Sequence, residues 1–176
     1  MSQTNPKSAE KLYDKVVDYV LEKKESVDGK VVMDLFCGTG TIGQIVSSRS
    51  DNAKIVGVDI AASSIADAKE NAKRNNIEGV QFFTADVGKF LLEHPEYNRK
   101  IETIILDPAR AGIAPKTLRK VIRLGAQRMV YVSCNPATQA RDTEQLIEAG
   151  YQLKKISMVD QFPHTAHIET IALFEK

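Results

Sequence analysis

The period of the apolar positions changes repeatedly along the chain, and those changes divide it into short elements. The first is helical. Leu12, Val16 and Val20, with Tyr13, Val17 and Leu21, recur every four residues and draw one apolar face. Asn5 suits the N-cap and Pro6 the first turn of a helix of about 15–18 residues. Dense apolar and β-branched runs follow at Val31–Phe36, Lys54–Ile60, Val80–Ala85, Thr103–Leu106, Met129–Ser133, Leu153–Asp160 and Glu169–Phe174, and these predict strands. Helical spacing fills most of the gaps, at Thr41–Ser48, Ala61–Asn75, Pro115–Leu124 and Ala137–Ala149. The polar stretch Leu92–Lys100, which holds Pro95, reads as a surface connection.

Strands alternating with helices predict an α/β, Rossmann-like fold: a seven-stranded, mostly parallel sheet with helices on both faces. The last two strands have no helix between them, so they predict an antiparallel hairpin at one edge. A length of 176 residues suits one domain with a sizeable core. The composition is 43% hydrophobic and 27% charged, which excludes wholesale disorder. No apolar run approaches the roughly 18–20 residues needed to span a bilayer. The first 25 residues mix charge with apolar positions, unlike a secretory signal. Two cysteines, Cys37 and Cys134, cannot build a disulfide scaffold, so reduced thiols and a cytoplasmic location are expected.

Candidate chemistry gathers at the ends of the strands. After the first strand comes Asp34-Leu35-Phe36-Cys37-Gly38-Thr39-Gly40-Thr41, a glycine turn opening a helix, where backbone N–H groups can approach a ligand. Gly38, Gly40 and Gly43 have the spacing of the dinucleotide fingerprint G-x-G-x-x-G, a weak signal until its context is known. The second strand ends at Asp59, an acid able to accept both hydroxyls of a ribose; the competing role is a helix N-cap. The third ends at Asp86, equally suited to an adenine amino group or to another N-cap. These three ends together look like a class I S-adenosylmethionine (SAM)-dependent methyltransferase. The fourth strand ends Asp107-Pro108-Ala109-Arg110 and the fifth Ser133-Cys134-Asn135-Pro136. A cysteine at a strand exit ahead of a helix N-terminus is placed for a lowered pKa. His164, His167 and Glu169 crowd before the last strand, but their spacing fits no known zinc box, and no metal is expected.

The segments DLFCGTGT, ILDPARAG, VYVSCNPAT and FPHTAHIET resemble the motifs of the RNA uracil-5-methyltransferases, which make 5-methyluridine in 23S ribosomal RNA and tRNA. The resemblance runs from Gln3 to Lys176, and the order is closer to the ribosomal RNA members. It implies Cys134 as the nucleophile on uracil C6, Glu169 as the base that removes the C5 proton, and Asp107 as an acid near both cofactor and base. It implies SAM contacts at Gln3, Phe36, Gly38, Thr41, Asp59, Asp86 and Asp107, with RNA as partner. Three features depart from the family. Met1-Ser2 stand where an aromatic residue usually precedes the Gln, the N-terminal RNA-binding and central domains of full-length members have no counterpart, and position 59 is Asp where Glu is common. The chain is therefore expected to be a single catalytic domain over residues 1–176.

The chemistry agrees with these residue types. C5 of uracil is a poor nucleophile, and a covalent cysteine adduct divides its methylation into easier steps. Rival readings fit less of the sequence. An amino-methyltransferase would carry an aromatic after Asp107-Pro108, a cytosine-5-methyltransferase would carry a cysteine at 107–110, and a dinucleotide oxidoreductase leaves Cys134 and Glu169 without a role. A SAM-binding domain with little activity would show the same motifs. Charge is balanced, 24 basic against 23 acidic residues, which predicts a weak intrinsic grip on RNA. The one modest basic cluster, Arg110, Lys116, Arg119, Lys120 and Arg123, reads equally as a solvated helix face.

Overall fold

A computed structural model describes residues 6–23, 27–161 and 167–176. It contains a single seven-stranded sheet in the order β3-β2-β1-β4-β5-β7-β6. The strands are β1 (Val31–Leu35), β2 (Lys54–Asp59), β3 (Val80–Thr84), β4 (Ile101–Leu106), β5 (Arg128–Ser133), β6 (Gln152–Asp160) and β7 (Ile168–Glu175). The first five run parallel, and β7 pairs antiparallel with both β5 and β6. β7 therefore lies inside the sheet and β6 forms the edge. This matters for the site, because it sets the start of β7 beside the exit of β5.

The helices are α1 (Pro6–Leu21), α2 (Thr41–Arg49), α3 (Ala62–Arg74), α4 (Val87–Glu93), α5 (Pro115–Arg123) and α6 (Pro136–Glu148). Helix α4 lies mostly in a stretch to which the sequence pattern assigned no element, and its end with a 3₁₀ turn at Pro95–Tyr97 falls in the Leu92–Lys100 stretch read as a plain connection. Seven residues are too few to show a periodic face, and Asp86 starts the helix by accepting the N–H of Lys89 at 2.9 Å.

Two apolar layers sandwich the sheet. On one face Val16, Val17 and Val20 of α1 pack with Ile42 and Val46 of α2 over Val32, Ile105, Val130 and Ile171. On the other, Phe90 of α4, Leu118 and Val121 of α5 and Leu146 of α6 cover Met33, Leu106, Tyr131 and Phe174. Each such side chain contributes about 1.5–3 kcal/mol on full burial. Buried Arg128 ties the end of α1 to the sheet. Its guanidinium donates to the carbonyls of Tyr19 (2.7 Å) and Val20 (3.2 Å) and pairs with Glu22 and Glu175. These carbonyls are among those a helix C-terminus leaves unsatisfied. Among the described residues, no helix is long and apolar enough to cross a membrane.

Candidate active site

The parallel strands all end on one side of the sheet, and the segments that follow them meet there. After β1 the backbone turns through Phe36 (φ 61°), Gly38 (φ 54°) and Gly40 (φ 70°) into α2. A side chain on Gly40 would sit 2.5 Å from the Phe82 ring, so only glycine fits. Gly43 serves close packing. Its Cβ would lie 2.8 Å from Ile55 and 3.1 Å from Asp34 Oδ2, so a glycine there lets α2 pack closely on the sheet. Phe36 is not a glycine yet holds the left-handed conformation, a strain of about 1–3 kcal/mol that tends to mark functional turns.

Asp59 braces this turn. Its Oδ2 accepts the Gly38 N–H and its Oδ1 accepts the Ala61 N–H, both at 2.9 Å. It does not cap α3, whose N-cap is Ala61 with no side-chain bond. Ile60, the next residue, is 72% exposed, an apolar surface with no core to join. The sequence pattern counted it as part of the strand and missed it. Asp86 is the N-cap of α4, so the bland role is realised through Oδ1, while Oδ2 accepts no bond among the described residues. Thr41 is the first residue of α2, its hydroxyl 3.2 Å from that of Thr39.

Cys134, Asp107 and Glu169 are brought to one place by strand register. Ser133 is paired with Thr170 across β5 and β7. One further step along that antiparallel register sets Cys134 against Glu169. Asp107 leaves neighbouring β4 and donates its N–H to Leu35 O at 3.3 Å, at the foot of the glycine turn. Asp142 of α6 fixes the loop after Asp107. Buried, it accepts Tyr131 O–H at 2.6 Å and the Ile113 N–H at 2.9 Å, and pairs with Arg141. Gln3 and His164 lie outside the described residues.

The crevice is crowded with acids. Burial, then the charge of Asp107, raises Asp34 to about 8. Burial, then Glu169 and Asp59, raises Asp107 to about 7. Glu169 is also raised, by burial, with His167 opposing. The expectation of an acidified Cys134 fails for the same reason. Its thiol is raised, first by burial and then by Glu169; the nearby Arg110 only partly offsets this. The α6 dipole is no match for a carboxylate facing the thiol at close range. Cys37 is raised more strongly, by burial and Asp34, and its Sγ contacts Gly38 O at 3.7 Å, as a packed residue would. The phenol of Tyr13 is raised by burial and then by Asp107 and Glu169. Tyr13 is half-buried and packs against the core, as its place on the apolar face of α1 predicts.

Among the described residues no three His, Cys, Asp or Glu side chains are grouped to hold a metal ion. A family model described as tRNA (uracil-5-)-methyltransferase matches residues 1–176. The chain belongs to that family. It is 43% identical over 174 residues to an uncharacterized RNA methyltransferase of Clostridium acetobutylicum, covering 99% of this chain and 36% of that protein. It is 42% identical over 162 residues to the 23S rRNA (uracil(1939)-C(5))-methyltransferase RlmD of Vibrio parahaemolyticus, covering 92% of this chain and 36% of that one. The solved structure of Pyrococcus abyssi tRNA (uracil-54, C5)-methyltransferase, in complex with S-adenosyl-L-homocysteine, superposes with a TM-score of 0.70 at 32% identity, covering 91% of this chain and 38% of that one. The chain thus spans little more than a third of the length of these relatives.

Proposed function

We propose that this chain, acting as one catalytic domain, transfers a methyl group from SAM to C5 of a uridine in RNA, with 23S ribosomal RNA as the preferred class. The observation that carries the reading is the convergence of Cys134, Asp107 and Glu169 at adjoining strand ends, beside a glycine turn braced by Asp59. The similarity to a ribosomal RNA enzyme supports the choice of RNA.

The residues present suit the cofactor. Asp59 keeps lone pairs for a ribose diol, Ile60 offers an apolar surface to a flat base, and Asp86 Oδ2 can accept from an amino group. Phe36, Gly38 and Thr41 line the turn, and Gln3 would add a contact by resemblance. Asp34, pushed up by burial and by Asp107, and Asp107, pushed up by burial and by Glu169 and Asp59, favour a cationic ligand. SAM, when bound, supplies an electrophilic methyl group on a positively charged sulfur.

This chain's residues do the rest. Cys134 begins as a thiol, so its proton must leave before attack; Glu169 and Asp107 are the carboxylates whose fields it feels. The thiolate forms a bond to C6, and the C5=C6 electron pair shifts to make C5 nucleophilic enough to take the methyl group, whose bond to the sulfonium sulfur breaks and leaves its electron pair on a neutral thioether. Glu169 then removes the C5 proton. The electrons of that C–H bond restore C5=C6 and expel the thiolate.

The direct test is incubation with SAM and unmodified RNA, followed by mass spectrometry of the nucleosides. We expect 5-methyluridine in 23S ribosomal RNA in preference to tRNA; no 5-methyluridine in either at high RNA concentration contradicts the reading.

A second expectation concerns pH. Asp107 is raised to about 7, so the free protein holds a proton there that an ordinary carboxyl would have lost. Between about pH 4 and 7 this lowers fold stability as pH rises, because the folded state binds the extra proton. A cation in the crevice favours the carboxylate, so SAM should bind more tightly from pH 6 to 8, with a net release of protons near neutral pH. Calorimetry in buffers of different ionisation enthalpy reads the number released, and Asp107→Asn should reduce it, leaving the share of Asp34. Binding with no proton release would contradict the assignment.

A further inference from the structure

No Asp or Glu occurs between Asp107 and Asp142, although acids and bases nearly balance over the whole chain. That acid-free stretch carries seven basic residues. Arg128 is buried against Glu22 and Glu175, and Arg141 pairs with Asp142. The other five, Arg110, Lys116, Arg119, Lys120 and Arg123, make no ion pair within the described residues. Several cations elsewhere on the surface do have acidic partners: Arg49 has Asp14 at 2.9 Å, Arg74 has Glu70 at 3.3 Å and Lys89 has Glu93 at 3.7 Å.

Four of the five lie on α5 at spacings of three, four and seven residues, which is one helical face. The opposite stripe, Leu118 and Val121, is fully buried. Lys116, Arg119 and Arg123 are exposed and Lys120 partly so. Like charges at these spacings destabilise a helix by about 0.2–0.5 kcal/mol per pair. The helix dipole compensates Lys120 and Arg123 in the last turn, but opposes Lys116 in the first. Helix stability alone therefore does not account for the stripe.

Its position does. Helix α5 follows the loop that begins at Asp107. The carbonyl of Arg110 in that loop accepts from Asn135 Nδ2 at 3.2 Å and Thr138 Oγ1 at 3.1 Å, immediately beyond Cys134. The stripe thus starts at the mouth of the crevice and leads away from it for roughly 10 Å. We propose that Arg110 and the basic face of α5 hold the RNA backbone next to the uridine that enters the crevice. This rests on the reading of the chain as an RNA uridine methyltransferase. Arg119 and Arg123 stand at the edge of a groove whose other wall carries Glu144 and Glu148 of α6, so in this proposal the phosphates run along the exposed face of α5 and not down that groove. The guanidinium and ammonium groups offer charge to phosphate without selecting a base, so this surface supplies affinity and orientation rather than sequence choice.

The test compares wild type with the triple variant Lys116→Gln, Arg119→Gln, Arg123→Gln, and with Arg49→Gln as a control cation elsewhere on the surface. Methyl transfer to unmodified ribosomal RNA is measured against RNA concentration at several salt concentrations. We expect the triple variant to raise the half-saturating RNA concentration about tenfold or more and to reduce the salt slope by about 2, at about 0.7 per phosphate on single strands. The maximal rate, SAM affinity and melting temperature should stay near wild type, since these side chains face solvent. Arg49→Gln should change none of these readouts. Unchanged half-saturation and salt slope in the triple variant would overturn the proposal while leaving methyl transfer intact. If wild type bound the same RNA with an α5-dependent salt slope but transferred no methyl group, the catalytic reading would fail and the surface would stand. Binding of wild type to anionic phosphatidylserine vesicles, with none to RNA, would also overturn it.

Discussion

Cys134→Ala should abolish methyl transfer, by roughly 10⁴-fold or more, because the route through C6 has no other nucleophile. The sharper readout uses RNA containing 5-fluorouridine. Fluorine at C5 leaves no proton to remove, so the enzyme stays bonded to C6. Wild type and Cys37→Ser should give an RNA–protein complex that survives denaturation, and Cys134→Ala should give none. Cys134 is only partly buried, and its replacement should leave the melting temperature almost unchanged. A trapped complex in Cys134→Ala would overturn the assignment. The raised thiol adds a pH signature. Trapping should accelerate as pH rises through neutrality, since deprotonation is opposed by burial and by Glu169.

Glu169→Gln should slow turnover by about 10²–10⁴-fold, the usual contribution of a positioned base. The step affected differs from that in Cys134→Ala. Gln keeps the shape and lets the methyl group transfer, but cannot take the C5 proton. The methylated covalent adduct should therefore accumulate on ordinary RNA, visible as labelled RNA that migrates with protein. If Glu169 only stiffened the strand, Glu169→Gln would turn over at a near wild-type rate with no such species.

Much of this architecture is written in local pattern. Each buried parallel strand must be a short apolar run, and each helix between strands must show one apolar face. These constraints act within a few residues, and all seven strands and five of the six helices fall within two or three residues of where the pattern puts them. Helix α4 escaped because it is shorter than two full periods and begins from a side-chain cap. The glycine turn was equally legible, since the left-handed backbone at Gly38 and Gly40 favours glycine, although Phe36 adopts it too.

The site was legible in part. The motifs carrying Cys134, Asp107, Asp59 and Glu169 are contiguous words in the chain, so they could be found without coordinates. What those groups do to one another could not. Whether Cys134 is a thiolate or a thiol depends on its burial and then on Glu169, some thirty-five residues away in sequence and one register step away across β5 and β7. Ile60 shows the same limit: a side chain's place in a strand pattern does not say whether core or surface awaits it. The sequence by itself determined the order of the elements, the turn chemistry and the kinds of reactive group. The tertiary structure decided the protonation of those groups and the company they keep. Burial and Coulomb fields depend on distance through space, which chain separation does not specify.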